Sequence, residues 1–161
     1  RLTAWRALRR AVNSPITPLR SLPVFAYICL GTNNLDRAIR FYDAALAPLG
    51  LSRCDISGEA NWDGWAGWGT YQDGGAQELA LWVCSPFNGA AASPGNGAMV
   101  ALRATSWAEV EGFYAAALEH GGTSEGPPAL RPHYGDDFYA AYVRDPDGNK
   151  MAVVCRGFTH A

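Results

Sequence analysis

Shifted by 72 residues, the chain matches itself: AYICLGTNNLDRAIRFYDAALAPLGL, Ala26 to Leu51, falls on AMVALRATSWAEVEGFYAAALEHGGT, Ala98 to Thr123, without a gap, and eight of 26 positions are identical. Such a repeat dictates architecture, because each copy must form the same supersecondary unit. The identities sit where structure needs them: Ala26/Ala98 and Leu30/Leu102 in an apolar run, Phe41-Tyr42 on Phe113-Tyr114, Ala44-Ala45-Leu46 on Ala116-Ala117-Leu118, and Gly50 on Gly122. In both copies a short strand ends at a polar capping candidate, Asn33 or Asn34 in one and Thr105 or Ser106 in the other, and a helix is predicted to follow. Leu35, Ala38, Ile39, Tyr42, Leu46 and Leu49, and in the second copy Trp107, Val110, Phe113, Tyr114, Ala117 and Leu118, recur at helical steps, so each helix has one core face. Gly50 and Gly121-Gly122 follow the helices, where glycine can take the left-handed conformation that ends one.

Beyond each helix come apolar segments separated by turn residues: Leu51 to Ile56, Ala66 to Tyr71 and Glu78 to Cys84, then Phe138 to Arg144 and Lys150 to Cys155. They read as strands. Asp145-Pro146-Asp147-Gly148-Asn149 between the last two is a tight-turn sequence, with proline fixing one dihedral and glycine free to adopt positive φ. The fold class is α+β, two tandem βαβββ modules of mostly antiparallel sheet with helices outside. Module one covers about 24–87 and module two about 96–157, joined by the Gly/Ala/Ser/Pro-rich stretch 88–96 within one domain, 23–157.

Residues 1–22 hold five arginines and no acid, which leaves the remaining chain at −7. A mildly acidic body argues against a nucleic-acid partner. The basic head, with Trp5, Leu8 and Val12 at helical spacing, is open to reading as a transit peptide, a membrane-surface helix, or sequence carried over from a vector or a mis-set start. Pro15, Pro18 and Pro23 interrupt it and favour the last. No run approaches the apolar length of a membrane span. Cys29, Cys54, Cys84 and Cys155 form no CxxC pair and follow no secretory segment, which reads as reduced and cytoplasmic.

LGTNNLDRAIRFYDAALAPLGL, followed a hundred residues later by RDPDGNKMAVVC, resembles the vicinal oxygen chelate superfamily, which comprises glyoxalases, bleomycin-resistance proteins and extradiol dioxygenases, in its glyoxalase-like branch. The resemblance implies paired modules cupped around a cavity, commonly completed by a second subunit, hence a homodimer. It also implies a divalent metal held by His or Glu from the first and last strands of each module. Such a metal acts as a Lewis acid and needs several hard or imidazole ligands.

Carried onto this chain, the ligand positions of that family are Tyr27, its repeat partner Met99, and Ala152 after the DPDGN turn. Aligning Cys84 with Cys155 puts the fourth at Leu81, and a one-residue error gives Ala80 or Trp82. None is a competent hard-metal ligand, and Glu78 offers one contact only in a shifted register. No metal and no cofactor is therefore expected.

His133, in Arg131-Pro132-His133-Tyr134-Gly135-Asp136-Asp137, is a candidate ligand contact, a candidate general base, or a solvated loop histidine. Arg131 is open to pairing an anionic substrate or Asp136 or Asp137. His120 at a helix end and His160 near the terminus read as bystanders. Trp62, Trp65, Trp68, Tyr71 and Trp82 could stack on a planar ligand, fill a core or line an interface.

The leading expectation is a metal-free protein binding a small molecule in an apolar cup of Tyr27, Leu81, Trp82, Met99 and Ala152, with polar contacts from His133 and Tyr134, in sequestration or resistance. The alternative is a glyoxalase-like lyase or dioxygenase, either metal-dependent through other ligands or metal-free through His133. A third reading is an interaction domain without ligand.

Overall fold

The computed structural model of the protein describes residues 24–60 and 62–157. The basic head 1–22 and His160 lie outside the described residues. In chain order the elements are β1 (Tyr27–Gly31), α1 (Leu35–Leu46), β2 (Trp65–Gln72), β3 (Gln77–Cys84), β4 (Val100–Arg103), α2 (Trp107–Glu119), β5 (Thr123–Leu130), β6 (Tyr139–Arg144) and β7 (Lys150–Cys155). They form two sheets, β1-β3-β2 and β4-β7-β6-β5. In each, the first strand runs parallel to the last and the other pairs are antiparallel. The α+β architecture of two modules is thus the one the repeat requires.

The caps resolve the sequence alternatives. Asn34 accepts from Arg37 N–H at the start of α1, and Ser106 accepts from Glu109 N–H at the start of α2. Glu109 reaches back to the amide and hydroxyl of Thr105 at 2.7 and 2.6 Å, a reciprocal arrangement that satisfies orphan donors at the helix start. Gly50 ends the first helical segment at φ 71°. Inward from these ends, Ala38, Phe41, Tyr42, Ala45 and Leu46 of α1 meet Val110, Phe113 and Ala117 of α2 in one core that also takes Leu81, Val83, Met151 and Val153 from the two sheets. Trp107 and Leu118, predicted on the core face, are 48% and 37% exposed; Trp107 stacks on Tyr139 with ring centroids 4.2 Å apart.

Two strand assignments differ from expectation. The segment 51–56 forms a single bridge, Arg53 to Trp68, because Asp55 turns its carboxylate onto the Ser57 amide and hydroxyl at 3.0 and 2.7 Å and bends the chain off the sheet. β5 was not among the apolar segments, since Gly126-Pro127-Pro128 breaks any alternation. It is the edge strand of its sheet and its register slips twice around those residues, the place where proline is tolerated.

The Asp145–Asn149 turn ties the modules together. Asp145 accepts from the Tyr42 hydroxyl at 2.7 Å, the Asp147 amide at 3.0 Å, and the Asn149 amide and side chain at 2.8 and 2.9 Å. Asp147 accepts from Thr32 Oγ1 at 2.6 Å, Asn33 N at 3.0 Å and Arg37 Nη2 at 2.8 Å, all in module one. Burial raises the Tyr42 phenol well above its usual range, with the Asp145 charge adding to it. Burial would also raise the Asp147 carboxyl, but the Thr32 and Asn33 hydrogen bonds and the Arg37 charge outweigh it and hold the group low. A depressed carboxyl contributes stability that is complete above its unfolded value of about 3.9 and is lost as pH falls through the lower folded value. Melting temperature should therefore fall more steeply below about pH 4 in the natural protein than in Asp147→Asn, whose clamp lacks the titrating group. Parallel acid profiles would refute this.

Candidate functional site

Strand alternation gives each sheet a core face and a second face turned away from the shared core. In sheet one Ile28, Leu30, Ala66, Trp68, Leu81 and Val83 belong to the core, so Tyr27, Cys29, Trp65, Gly67, Tyr71, Glu78, Ala80, Trp82 and Cys84 share the other face. In sheet two Tyr139, Ala141, Val143, Met151, Val153 and Cys155 are core, leaving Ala101, Ala140, Tyr142, Arg144, Lys150, Ala152 and Val154 on the outer face.

This corrects the fourth ligand position. Gly31 pairs with Cys84 and its repeat partner Arg103 pairs with Val154, so Cys84 corresponds to Val154 and not to Cys155. Leu81 then corresponds to Met151, and both point into the core; the counterpart of Ala152 is Trp82. Leu81 does not line a cup. The one-residue shift also brings Glu78 onto the Trp82 face, where its carboxylate accepts from Trp82 Nε1 at 2.7 Å.

Sheet one's outer face is filled by its own aromatic side chains. The Trp82 ring lies flat over Gly67, where a Cβ would meet ring carbons at 2.3 Å. Trp62 covers it at 4.6 Å and Tyr71 abuts it edge-on at 5.4 Å, which leaves Trp82 1% exposed. Trp62, Trp65, Tyr71 and Trp82 thus pack on one another, while Trp68 lies in the core with its indole N–H on Asp43 at 2.9 Å. Tyr27, at the start of β1, is 57% exposed.

Sheet two's outer face carries a cavity of about 620 Å³, within the range of small-molecule sites. Met99, Phe138, Tyr134 and Tyr142 give it an apolar lining, and Arg131, His133, Lys150 and Glu125 bring polar groups. Arg131 and Lys150 stand 5.4 and 5.9 Å from the Tyr142 ring centroid. Arg131 Nη2 donates to the Pro127 carbonyl at 2.7 Å, its Nε is buried without a hydrogen-bond partner, and the ion pair at Asp137 is made by Arg156. Glu125 accepts from Arg144 and Lys150 at 2.7 and 3.2 Å, hydrogen bonds that lower its carboxyl. His133 packs against Tyr134 with ring centroids 4.1 Å apart. Ala152, between Ala101 and Tyr142 in the sheet, is wholly buried.

The residues predicted to share one cup therefore divide between two faces. Tyr27 and Trp82 belong to sheet one, Met99, His133, Tyr134 and Ala152 to sheet two, and the cavities that Met99 lines draw only on module two and the linker before it. Sequence reasoning missed Lys150, Tyr142, Phe138 and Glu125. Lys150 and Tyr142 alternate with core residues on β7 and β6, and that alternation was the available signal.

The metal positions carry a phenol (Tyr27), an indole (Trp82), a thioether (Met99) and a methyl group (Ala152). They do not fit a divalent metal of the kind the resemblance implies. Among the described residues no three His, Cys, Asp or Glu side chains converge. Nor is any described helix long and apolar enough to cross a membrane.

Comparison with known proteins agrees with this architecture. The profile of the Glyoxalase/Bleomycin resistance protein/Dioxygenase superfamily matches residues 24–153. A solved glyoxalase/bleomycin resistance protein from Albidiferax ferrireducens is 33% identical, with a TM-score of 0.69 over 84% of this chain and 100% of that one. A glyoxalase-related enzyme from Fulvimarina pelagi is 22% identical, with a TM-score of 0.61 over 84% of this chain and 89% of that one. Glyoxalase I from Zea mays shares the fold at 22% identity and a TM-score of 0.54, over 81% of this chain and 45% of that one. No curated protein matches the chain.

Proposed function

This chain belongs to the Glyoxalase/Bleomycin resistance protein/Dioxygenase superfamily, and on that premise we propose that it is a metal-free binding protein for a small organic anion, acting in sequestration or resistance. The supporting observation is the cavity on sheet two, where two cations border an aromatic and thioether lining. Arginine offers planar donors to carboxylates and stacks on aromatic faces. The Arg131 guanidinium, which borders the cavity, is the donor that a bound carboxylate would engage. An apolar body would rest on Met99, Phe138 and Tyr142.

We further propose that two copies assemble as a homodimer. Tyr27 and Met99, exposed to 57% and 48% on the two sheets, give the outer faces apolar edges for a second subunit to cover. Sedimentation should report twice the chain mass, and Met99→Glu should return it to one; a monomeric natural protein would refute the assembly. The free thiols of the four cysteines suit the reducing cytoplasm as the working compartment.

A thermal-shift screen of aromatic and short-chain carboxylates tests the binding reading. At least one acid should stabilise the protein saturably, and Arg131→Ala or Lys150→Ala should weaken it about tenfold, the scale of one charge-assisted hydrogen bond. A flat screen, or a hit indifferent to both variants, would overturn it. The position of His133 in the same cavity supports a second reading, a metal-free acid/base enzyme. In that case His133→Ala would abolish turnover of a bound acid while its affinity stays within a few-fold.

A further inference from the structure

Cys29 and Cys84 lie on the outer face of sheet one, with sulfur atoms 3.7 Å apart. They are not direct partners: Cys29 pairs with Trp82 and Cys84 with Gly31. The two side chains nevertheless lean along the sheet toward each other. Both thiols open onto a cavity of about 340 Å³ formed with the Pro86–Ser93 segment. The two differ in setting, Cys29 being exposed and Cys84 buried. Burial, together with the neighbouring Cys29, pushes the Cys84 thiol up to about 12, and either sulfur can donate S–H to the other. Of the other two cysteines, Cys54 is half-buried and its thiol is raised by burial and the Glu78 charge, while Cys155 is in the core.

We propose that Cys29 and Cys84 form a reactive dithiol that reduces small hydroperoxides and closes to a disulfide. The Cys29 sulfur attacks one peroxide oxygen, the O–O bond breaks, and the departing oxygen is protonated, leaving Cys29 as a sulfenic acid. The Cys84 sulfur then attacks the Cys29 sulfur. The S–O bond breaks and hydroxide leaves as water with the Cys84 proton. Two thiols thereby supply two electrons and two protons, and one hydroperoxide becomes one alcohol and one water, or two waters from hydrogen peroxide. Closing from 3.7 Å to a bond of about 2.0 Å asks for a shift of the β1 backbone as well as rotation of the exposed Cys29 side chain, since the two residues are diagonal neighbours on parallel strands, and β1 is an edge strand free to make it.

Hydrogen peroxide added to the reduced full-length chain, followed by alkylation, intact mass and peptide mapping, tests this. The expected product has lost two hydrogens, carries a Cys29–Cys84 cross-link, and returns to the starting mass with dithiothreitol. Cys84→Ser should stop at a sulfenic acid on Cys29 that dimedone traps. Cys29→Ser, at an exposed position, should lower the rate of peroxide consumption about tenfold or more. Cys54→Ser should change neither product nor rate. A natural protein whose Cys29 and Cys84 both stay open to alkylation after peroxide would overturn the proposal, as would a cross-link formed through Cys54 or between chains.

Discussion

Gly67→Ala is expected to destabilise the protein by about 2 kcal/mol, the scale of overpacking a filled interior, and to lower its melting temperature by about 4–8 °C. The reason lies in one ring. Gly67 does not have the positive φ that would itself require glycine, so an alanine would be welcome in that strand but for Trp82. A Cβ there would lie 2.3 Å from the Trp82 Cε3 and Cζ3 carbons, and the ring cannot simply move aside. Trp62 holds it from above, Tyr71 from the side, and the Glu78 carboxylate pins its N–H. A double-mutant cycle isolates the contact. Trp82→Ala alone should cost about 3–5 kcal/mol, but adding Gly67→Ala to it should cost under about 0.5 kcal/mol, since the obstructing ring is gone. Additive costs in urea denaturation would show that the ring does not lie on Gly67.

Asp145→Ala should be the more damaging change, by about 3–5 kcal/mol, because it leaves buried partners without their acceptor. The carboxylate is nearly inaccessible and serves the Tyr42 hydroxyl, two turn amides and the Asn149 side chain at once. Tyr42→Phe removes only one of these bonds and should cost about 1–1.5 kcal/mol. The two losses should be less than additive, since the Tyr42 hydroxyl has already lost its acceptor in the first variant. If Asp145→Ala unfolded in urea within about 1 kcal/mol of the natural protein, the turn would be an ordinary surface loop.

These two residues also show what the sequence could reveal. The repeat exposed the βαβββ plan, and the helix starts were readable to within one residue at Asn34 and Ser106, because capping is a local demand. The Asp145–Asn149 turn was legible as a turn, yet its grip on Thr32, Asn33 and Arg37 was not, since nothing local announces a partner more than a hundred residues away. Leu81 was misplaced for a related reason. Its face depends on which residue of β1 stands opposite β3, and the pairing of Gly31 with Cys84 is decided by backbone hydrogen bonds, not by the coincidence of two cysteines near strand ends. A repeat also says nothing about how its copies face one another. Tyr27 and Met99 correspond in sequence, yet in this chain they belong to different sheets. Lys150 and Tyr142 could have been found by extending the alternation through β6 and β7 once the core side was known.

The Asp147 clamp has a bearing on how the chain reaches this fold. Its bonds to Thr32, Asn33 and Arg37 close spans of 115, 114 and 110 residues, among the most non-local contacts a chain of 161 residues can make. Loop-closure entropy must be met before such contacts return any stability, and topologies that depend on them fold slowly. During synthesis the strand, helix and hairpin of the first module are complete long before residue 147 is translated, so Arg37 and the Asn33 amide wait on the surface of a half-made protein. Joining the halves then waits for the Asp145–Asn149 turn, and until it is made the first module presents an unfinished seam to chaperones.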